Sequence, residues 1–592
     1  MTPSLTPYPL KVLLGRVAHE WDTRHRIFDM PSGRFHHVDP ALDLSVMVGP
    51  RPAATPIGPA AGPHTQMAQN IVLGWLGGAR TFELKTVQIL DELEIPRPCI
   101  DMEGEGYNVE WSQELRIGES LDEYVKAWMM LRILGEWDEL RPLLGNPGPH
   151  VFDMSVGYDL AGISSPAMTR FISGLLDATV AIDRLRLQIP EPFAAWRDAD
   201  FPARVVTGVT LSTFHGCPPD EIEAIVRHLM GEFDLDVVVK LNPTLLGIEA
   251  VREILDRLGY GEVRLAPGAF EADLRYDRAL QMIGDLREFA ARRDRTLGIK
   301  LTNTLVVGND GGKLPGDTMY LSGSPLHVIA VTLLDRLDAD LPGALGLGPS
   351  PGPVQVSFSA GIDRDNVADA VALGLAPVTV CTTLLKPGGY GNLSGMLRSL
   401  STAMRDSGCP DVHSWIESAH ERAVRVGHRN AVAAYGARLG GEEGTRRFGK
   451  AANPRLREVD RDLEVWDCVS CNLCVTVCPN DAMLHLVSPD GLGFDEKWQY
   501  FCLGELCNDC GNCVTFCPER GDPSRVKPRV FLDPAAFAVE TGQAYLVTAV
   551  DGVLSVEASP QGLADLDLVA ALVTAAEGLP LRAQDVPPTA RQ

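Results

Sequence analysis

Short apolar runs alternate with longer amphipathic segments between about residues 50 and 400. Runs such as VVVKL and PVTVC are apolar on both faces, which is typical of strands buried in a parallel sheet. The segments Pro219–Phe233 and Asp365–Leu375 between them have helical periodicity. Eight such units predict an α/β fold, a (β/α)8 barrel. The predicted strands are Pro56–Gly58, Phe82–Lys85, Val151–Val156, Val206–Leu211, Val237–Leu241, Gly298–Leu301, Val354–Phe358 and Val378–Cys381.

Polar residues follow most of these strands, where a (β/α)8 barrel carries its chemistry. A lysine at such a position is more often a salt-bridged surface residue than a cofactor ligand. Small residues at the last two strand ends, however, let backbone amides approach a phosphate group. Polar residues at the ends of the earlier strands suit a flat polar ring system bound over the barrel mouth. The strand-end residues are Lys85, Thr86, Ser155, Ser212–Cys217, Lys240–Pro243, Asn303, Thr304, Ser359–Gly361, Thr382 and Thr383.

Composition narrows the possible partners and the cellular setting. The 592 residues include 53 Lys and Arg against 78 Asp and Glu, a formal net charge of −25. This charge repels phosphate and argues against nucleic acid or an anionic membrane as a partner. The chain shows neither a spanning apolar run nor a signal peptide, so we expect a cytoplasmic, reducing setting. Clustered cysteines are then expected to bind metal before they form disulfides.

Nine of the 13 cysteines lie between Cys468 and Cys517, and eight of them form two copies of C-x2-C-x2-C-x3-C-P. This is the spacing of bacterial ferredoxins with two [4Fe–4S] clusters, in which the fourth cysteine of each motif binds the other cluster. Zinc sites use paired CxxC units with a longer gap between the pairs. Cys502, outside both motifs, is expected to be a buried structural thiol. The expected ligand sets are Cys468, Cys471, Cys474 and Cys517 for one cluster, and Cys507, Cys510, Cys513 and Cys478 for the other.

A series of short motifs runs in order through the barrel region. They include GPAAG from residue 58, ELKT from 83, YNVE from 107, TLSTFHG from 210, VKLNP from 239, TNT from 302, SAGI from 359 and VCTTL from 380. These motifs resemble the flavin barrels of dihydroorotate dehydrogenase and dihydropyrimidine dehydrogenase. With the double cysteine motif, the whole chain resembles the bacterial selenate reductase subunit family, which is itself similar to dihydropyrimidine dehydrogenase.

The resemblance implies FMN at the barrel mouth, beside the two [4Fe–4S] clusters. Lys240 would place a positive charge near flavin N1. The residues implied to contact the flavin and its phosphate are Ala60, Ala61, Lys85, Thr86, Ser155, Lys240, Ser359, Ala360, Gly361, Thr382 and Thr383. In the dihydropyrimidine enzymes an Asn-x-Glu motif and an Asn-Thr pair bind the amide edges of the substrate, and amide and carboxylate groups suit a cyclic amide. The matching residues here are Asn108, Glu110, Asn303 and Thr304.

The proton donor is where this sequence departs from the resemblance. Those barrels have Asn-x-Ser-Cys-Pro after the fourth strand, whereas this chain has Thr210 in the place of the Asn and Thr213 in the place of the acid. Cys217 follows four residues later and is the favoured proton donor, because a thiol pKa lies closer to working pH than that of a hydroxyl. Thr213 and His215 are the alternatives. Cys217 could instead simply pack at the start of a helix.

No G-x-G-x-x-G fingerprint for a nicotinamide or FAD domain stands between a strand and a helix. We therefore expect electrons to pass through the clusters to a separate protein, either a flavoprotein subunit, a ferredoxin or a molybdenum hydroxylase. The chain could also form a homo-oligomer. The predicted regions are an N-terminal extension (1–50), the flavin barrel (51–405), a helical linker (406–460), the two-cluster module (461–535) and a C-terminal tail (536–592).

These features together predict an oxidoreductase that reduces or oxidises a C=C or C=N bond of a cyclic amide of pyrimidine- or purine-catabolic type. Flavin chemistry would couple that two-electron step to the one-electron clusters. Two alternatives stay open. The chain could be a subunit of a reductase for selenate or another oxyanion, or an electron-transfer subunit with an inactive barrel.

Overall fold

Eight parallel strands form the barrel in the computed structural model, which describes residues 5–91, 93–109, 112–212, 217–350, 352–550 and 553–575. The hydrogen-bonded order β1-β8-β7-β6-β5-β4-β3-β2 has every neighbouring pair parallel, so the predicted barrel is confirmed. The strands are β1 (Ile57–Pro59), β2 (Thr81–Glu83), β3 (Val151–Gly157), β4 (Gly208–Ser212), β5 (Asp236–Leu241), β6 (Leu297–Leu301), β7 (Val354–Phe358) and β8 (Val378–Val380).

The barrel closes where β1 lies against β2. The amide of Arg80 donates to the carbonyl of Ile57 at 3.1 Å. A Cβ on Gly58 would lie 1.6 Å from the carbonyl oxygen of Thr81, so only glycine fits at this contact. The first strand can therefore carry the residues that follow it, beginning with Ala60, over the barrel mouth.

Helices surround the barrel in the expected alternation with the strands. The helix Pro219–Glu232 shows why these segments fold this way, since prolines and acidic residues fill its first turn and its buried residues recur every three or four positions. No helix in the described ranges is both long and apolar enough to cross a membrane. The main crossover helices are Ala68–Leu76, Ile117–Glu136, Pro166–Leu176, Pro219–Glu232, Ile248–Arg257, Tyr276–Arg292, Ser324–Asp340, Val367–Ala372 and Gly391–Asp406.

A small antiparallel sheet, the cover sheet, is built from two long loops of the barrel. One part comes from the segment after β2 and the other from the segment after β6. In it, Tyr107 pairs with Leu321 and Asn108 with Tyr320. This pairing brings Asn108 to the barrel mouth. The strands of the cover sheet are Ile100–Asp101, Tyr107–Asn108, Leu305–Gly308 and Thr318–Leu321.

The cysteine-rich region is one module with the segment that follows it. Its five-stranded C-terminal sheet takes two strands from the predicted two-cluster region, one from its end and two from the predicted tail. Short helices, Leu473–Thr476 and Asn512–Phe516, begin within the two cysteine motifs. The strands are, in order, Met483–Val487, Trp498–Leu503, Arg529–Phe531, Ala544–Val550 and Val553–Ala558, and the helices before and after this sheet are Val412–Arg425, Ala431–Gly440, Glu442–Phe448 and Leu566–Thr574.

The N-terminal extension joins this module to the barrel. Its helix Leu10–Arg24 is buried along most of its length. Arg16, fully buried, forms ion pairs with Glu20 and with Asp481 of the cysteine module. The hydroxyl of Tyr8 donates to Glu505 of the same module at 3.3 Å. The extension is thus part of the packed core.

Candidate active site

A cavity with about 1090 Å³ of empty space opens at the carboxyl ends of the barrel strands. The cover sheet forms part of its wall through Ile100, Met102 and Asn108. Twelve of the residues predicted for cofactor or substrate line this cavity together. They are Ala60, Ala61, Lys85, Thr86, Asn108, Lys240, Asn303, Thr304, Ser359, Ala360, Gly361 and Thr382.

Several other predicted residues do not line this mouth cavity. Ser155 is buried behind it, and its hydroxyl is 2.9 Å from that of Thr86. The Thr383 hydroxyl donates to the carbonyl of Ile362. Glu110, Thr213 and His215 lie outside the described residues.

Cys217 is buried away from the mouth cavity. Its thiol is 4.0 Å from the carbonyl of Pro218, at the start of the helix Pro219–Glu232. Burial, with the nearby carboxylates of Glu221 and Asp159, raises the pKa of this thiol to about 12. A different thiol, that of Cys381, does line the cavity, and burial raises its pKa as well. Cys381 was not predicted as a site residue, because a single cysteine at the end of an apolar strand has no distinguishing pattern.

Two amide side chains line the cavity, one from the barrel and one from the cover sheet. Asn303, just after β6, donates through Nδ2 to Oδ1 of Asn242 at 2.8 Å. Asn108 reaches the cavity from the cover sheet, and its Nδ2 donates to the carbonyl of Val109 at 2.9 Å. A flat ring between them would meet amide donors and acceptors at two edges.

A buried ion pair supports the floor of the cavity. Lys300 in β6 contacts Glu83 in β2 and also donates to the Thr379 hydroxyl at 2.8 Å. Burial alone raises the pKa of Glu83, but Lys300 and Lys240 outweigh it, so the net pKa is lowered and the carboxylate is ionised. Glu83 accepts from the amide of Ala61 at 3.2 Å, which fixes the loop that lines the cavity. A charged residue inside an apolar strand needs a buried partner, so the lone charges of Glu83 and Lys300 are the feature of the sequence that could have predicted this ion pair.

The last two strand ends form a narrow backbone cradle. Gly361 has φ of 54° and Gly323 has φ of 80°. A Cβ on Gly361 would lie 2.5 Å from the carbonyl oxygen of Gly323. The helix Ser324–Asp340 begins directly after Gly323, and the Ser322 and Thr382 hydroxyls are 3.1 Å apart beside it. Backbone amides, hydroxyls and a helix N-terminus together suit a phosphate group, so the residues present fit FMN.

The eight motif cysteines lie in two groups of four. In the first thiol group, desolvation raises the pKa of Cys474, and the other three cysteines raise it further. In the second thiol group, Cys513 is affected in the same way. The first group is Cys468, Cys471, Cys474 and Cys517, and the second is Cys478, Cys507, Cys510 and Cys513.

These are the two sets that the crossed ligand pattern predicts. Among the described residues, no three His, Cys, Asp or Glu side chains converge on a point where one metal ion could bind. A cubane presents four separate irons, so its thiolates need not converge in this way. An all-thiol donor set, four to a group, fits a [4Fe–4S] cluster.

The second thiol group lies directly against the mouth cavity. The amides of Cys99 and Ile100 both donate to the carbonyl of Cys510, at 3.1 and 3.0 Å. Ile100 itself lines the cavity. On the other side, Asn512 donates to the carbonyls of Leu385, which also lines the cavity, and Val477. One residue therefore separates the cysteine loop from the cavity.

The fold and site define the class as a (β/α)8 barrel with a polar mouth cavity and an attached cysteine-rich module. The profile of a family described as "Oxidoreductase YgfK, N-terminal TIM-barrel domain" matches residues 28–429. The chain belongs to this family. The profile begins after the extension helix Leu10–Arg24 and stops before the cysteine motifs.

YgfK proteins of two Escherichia coli strains, K12 and O157:H7, are each 41% identical over 415 residues. The alignment covers 67% of this chain and 39% of each relative, so the chain spans about two fifths of the curated relatives that it matches. A pyruvate-flavodoxin oxidoreductase of Klebsiella pneumoniae is 34% identical over 101 residues, covering 14% of this chain and 8% of that protein. A ligand-free DHODH structure from Eimeria tenella has a TM-score of 0.40 at 15% identity and covers 64% of this chain and 91% of its own.

Proposed function

We propose that the protein is an FMN- and iron–sulfur-dependent oxidoreductase that reduces or oxidises a C=C or C=N bond of a cyclic amide of pyrimidine- or purine-catabolic type. One observation supports this most strongly. A cavity with two amide side chains, two lysines and a phosphate cradle lies one residue from a loop of three buried cysteines. When bound, FMN would supply hydride exchange with the substrate and single-electron exchange with the clusters.

The chain's own residues have distinct tasks in this proposal. Asn108 and Asn303 orient the ring by its amide edges. Lys85 and Lys240 place positive charge where the flavin ring would lie, and Glu83 holds the Ala61 loop in position from below.

The proton would come from the segment after β4. Ser212, at the end of that strand, lines the cavity, and Thr213 and His215 follow it in the sequence. The position of Cys217 away from the cavity favours one of these two residues over the thiol.

We propose that electrons cross the cysteine module between the second thiol group and the first. Three of the four cysteines in the first group are partly exposed, against one of the four in the second. The partly exposed cysteines are Cys471, Cys474 and Cys517 in the first group and Cys478 in the second. The first group is therefore the one that an electron-carrying partner, such as a flavoprotein subunit, a ferredoxin or a molybdenum hydroxylase, would approach.

The test is reoxidation of anaerobically reduced protein by candidate acceptors. Uracil-, xanthine- or urate-like compounds should reoxidise the flavin, and Asn108→Ala should weaken this reaction without loss of flavin. Reoxidation by selenate alone would support the oxyanion-reductase alternative. Clusters without flavin would support an electron-transfer subunit with an inactive barrel.

A further inference from the structure

A single carboxylate links the mouth cavity to the cysteine loop. Both oxygens of Glu114 accept from Nδ2 of Asn508, at 2.9 and 3.1 Å. Asn508 stands between Cys507 and Cys510 in the second thiol group. Glu114 also forms an ion pair with Arg97, and its side chain is 5% exposed.

The same carboxylate acts on Lys85, which lines the cavity. Burial lowers the pKa of Lys85 to about 8, and Glu114 is the foremost of the charges that oppose this shift. Cys381 and Cys99 oppose it too, and Lys240 adds to it. The amide of Glu114 donates to Gln66 Oε1 at 2.7 Å, close to the Thr65 carbonyl that receives the Lys85 amide.

The partner of Glu114 completes a ring of contacts around the loop. Arg97 donates through Nη1 to the sulfur of Cys99 at 2.7 Å. The amide of Cys99 in turn donates to Cys510. Loss of the Glu114 carboxylate would therefore remove both the hydrogen bonds of Asn508 and the ion pair of Arg97.

We propose that Glu114 is a positioning residue that holds the Cys507–Cys510 loop against the cavity wall and sets the charge felt by the cluster bound there. This inference rests on the proposed function, because it takes the second thiol group as a cluster site. A fixed negative charge close to a cluster disfavours its reduced, more negative state. Glu114 would thus keep the potential of this cluster low.

The test uses isosteric variants of the pair in anaerobic holoenzyme, with potentiometric titration followed by EPR. E114Q removes the charge, so the midpoint potential of one cluster should move to a more positive value. N508D adds a charge, so the same potential should move to a more negative value. The double variant E114Q/N508D exchanges the two groups, so its potential should return towards that of the wild type. A merely structural defect would not give opposite shifts that cancel.

A matched control identifies the cluster. Glu519 is buried beside the first thiol group, where it pairs with Arg461 and accepts from the amide of Val469. E519Q should move the other potential and leave the Glu114-sensitive one in place.

Amide hydrogen exchange gives a second readout. The peptide with Cys99 and Ile100 should exchange faster in E114Q and return towards wild type in the double variant. Unchanged potentials and unchanged exchange in E114Q would overturn this inference alone. Normal cluster potentials in protein without flavin would instead count against the proposed function. The potentials of the Glu114 and Asn508 variants would still test the role of Glu114 in that case.

Discussion

Individual buried charges decide how the mouth cavity is built. Lys300 and Glu83 lie inside the barrel, where an unpaired charge is costly, and together they hold the Ala61 loop. Both appear in the sequence as single charged residues within apolar strands. Their pairing is invisible there, because β2 and β6 are far apart in the chain.

Lys300→Met tests this pair. The variant leaves Glu83 buried without its main partner, so the free energy of unfolding should fall by about 3–5 kcal/mol. Adding Glu83→Leu should recover much of this loss, because an apolar pair avoids the desolvation cost. Urea unfolding measures both effects. A Lys300→Met protein as stable as the wild type would contradict the account.

Cys217→Ala tests the source of the proton. Removal of a general acid typically costs about 10²–10⁴-fold in rate. Because the Cys217 thiol does not line the cavity, we expect Cys217→Ala to keep its turnover, and Thr213→Ala or His215→Ala to show a loss of that size. Cys381→Ala is the matched control, since it removes a thiol that does line the cavity. A large loss in Cys217→Ala would restore the thiol as the donor.

The N-terminal helix Leu10–Arg24 contributes as an element by carrying a buried cation between the barrel and the cysteine module. Arg16 contacts Asp481, Glu20 and Asp29, which are all buried carboxylates. The helix therefore supplies the cation that pairs with the buried Asp481 of the cysteine module.

Arg16→Met should be strongly destabilising. It keeps the apolar stem but leaves three buried carboxylates together, so we expect a loss of about 3–5 kcal/mol. Lys11→Met removes a charge from the exposed side of the same helix and should change stability by less than about 0.5 kcal/mol. Thermal unfolding of both variants, followed by circular dichroism, measures the difference. Similar midpoints for the two variants would show that the buried cluster contributes little.

The barrel strands could be predicted element by element, whereas the cover sheet could not. Each barrel strand is a local apolar run, and β7 agrees with the prediction at both ends. The cover sheet has strands as short as Ile100–Asp101, without any periodicity, and it pairs distant segments. Strand-end residues of the site were therefore predictable, but Glu114, which acts across two modules, was not.

In the whole molecule the barrel and the cysteine module share one core. Hydrogen bonds from Cys99, Ile100 and Asn512 join them at the mouth, and Arg16 of the N-terminal extension pairs with Asp481 of the module. The predicted tail is part of the same module, since its strand Ala544–Val550 pairs in parallel with Arg529–Phe531. Local patterns could not reveal this, because the pairing depends on how the module folds.

Buried histidines should make the molecule sensitive to acid. Burial is the main cause that lowers the pKa of His36, His64 and His150 to about 3 and that of His327 to about 4. The unfolded chain binds protons at these sites below about pH 6.5, whereas the folded protein does not. Stability should therefore be full above pH 6.5 and fall as the pH drops towards 4, by about 1.4 kcal/mol per unit for each histidine.

The measurement is the unfolding free energy between pH 6.5 and pH 5 for the wild type and His327→Gln. In the variant, the slope of unfolding free energy against pH should be smaller by the contribution of one histidine, about 1.4 kcal/mol per pH unit. Equal slopes in the two proteins would refute the role of His327.

The central claim is that one chain holds FMN in the mouth cavity and two [4Fe–4S] clusters in the cysteine groups. Quantification of flavin, iron and acid-labile sulfide in anaerobically purified protein tests it most directly. The account predicts about one FMN, eight iron and eight sulfide per chain. Full iron and sulfide without FMN, or FMN with no more than about four iron per chain, would contradict it.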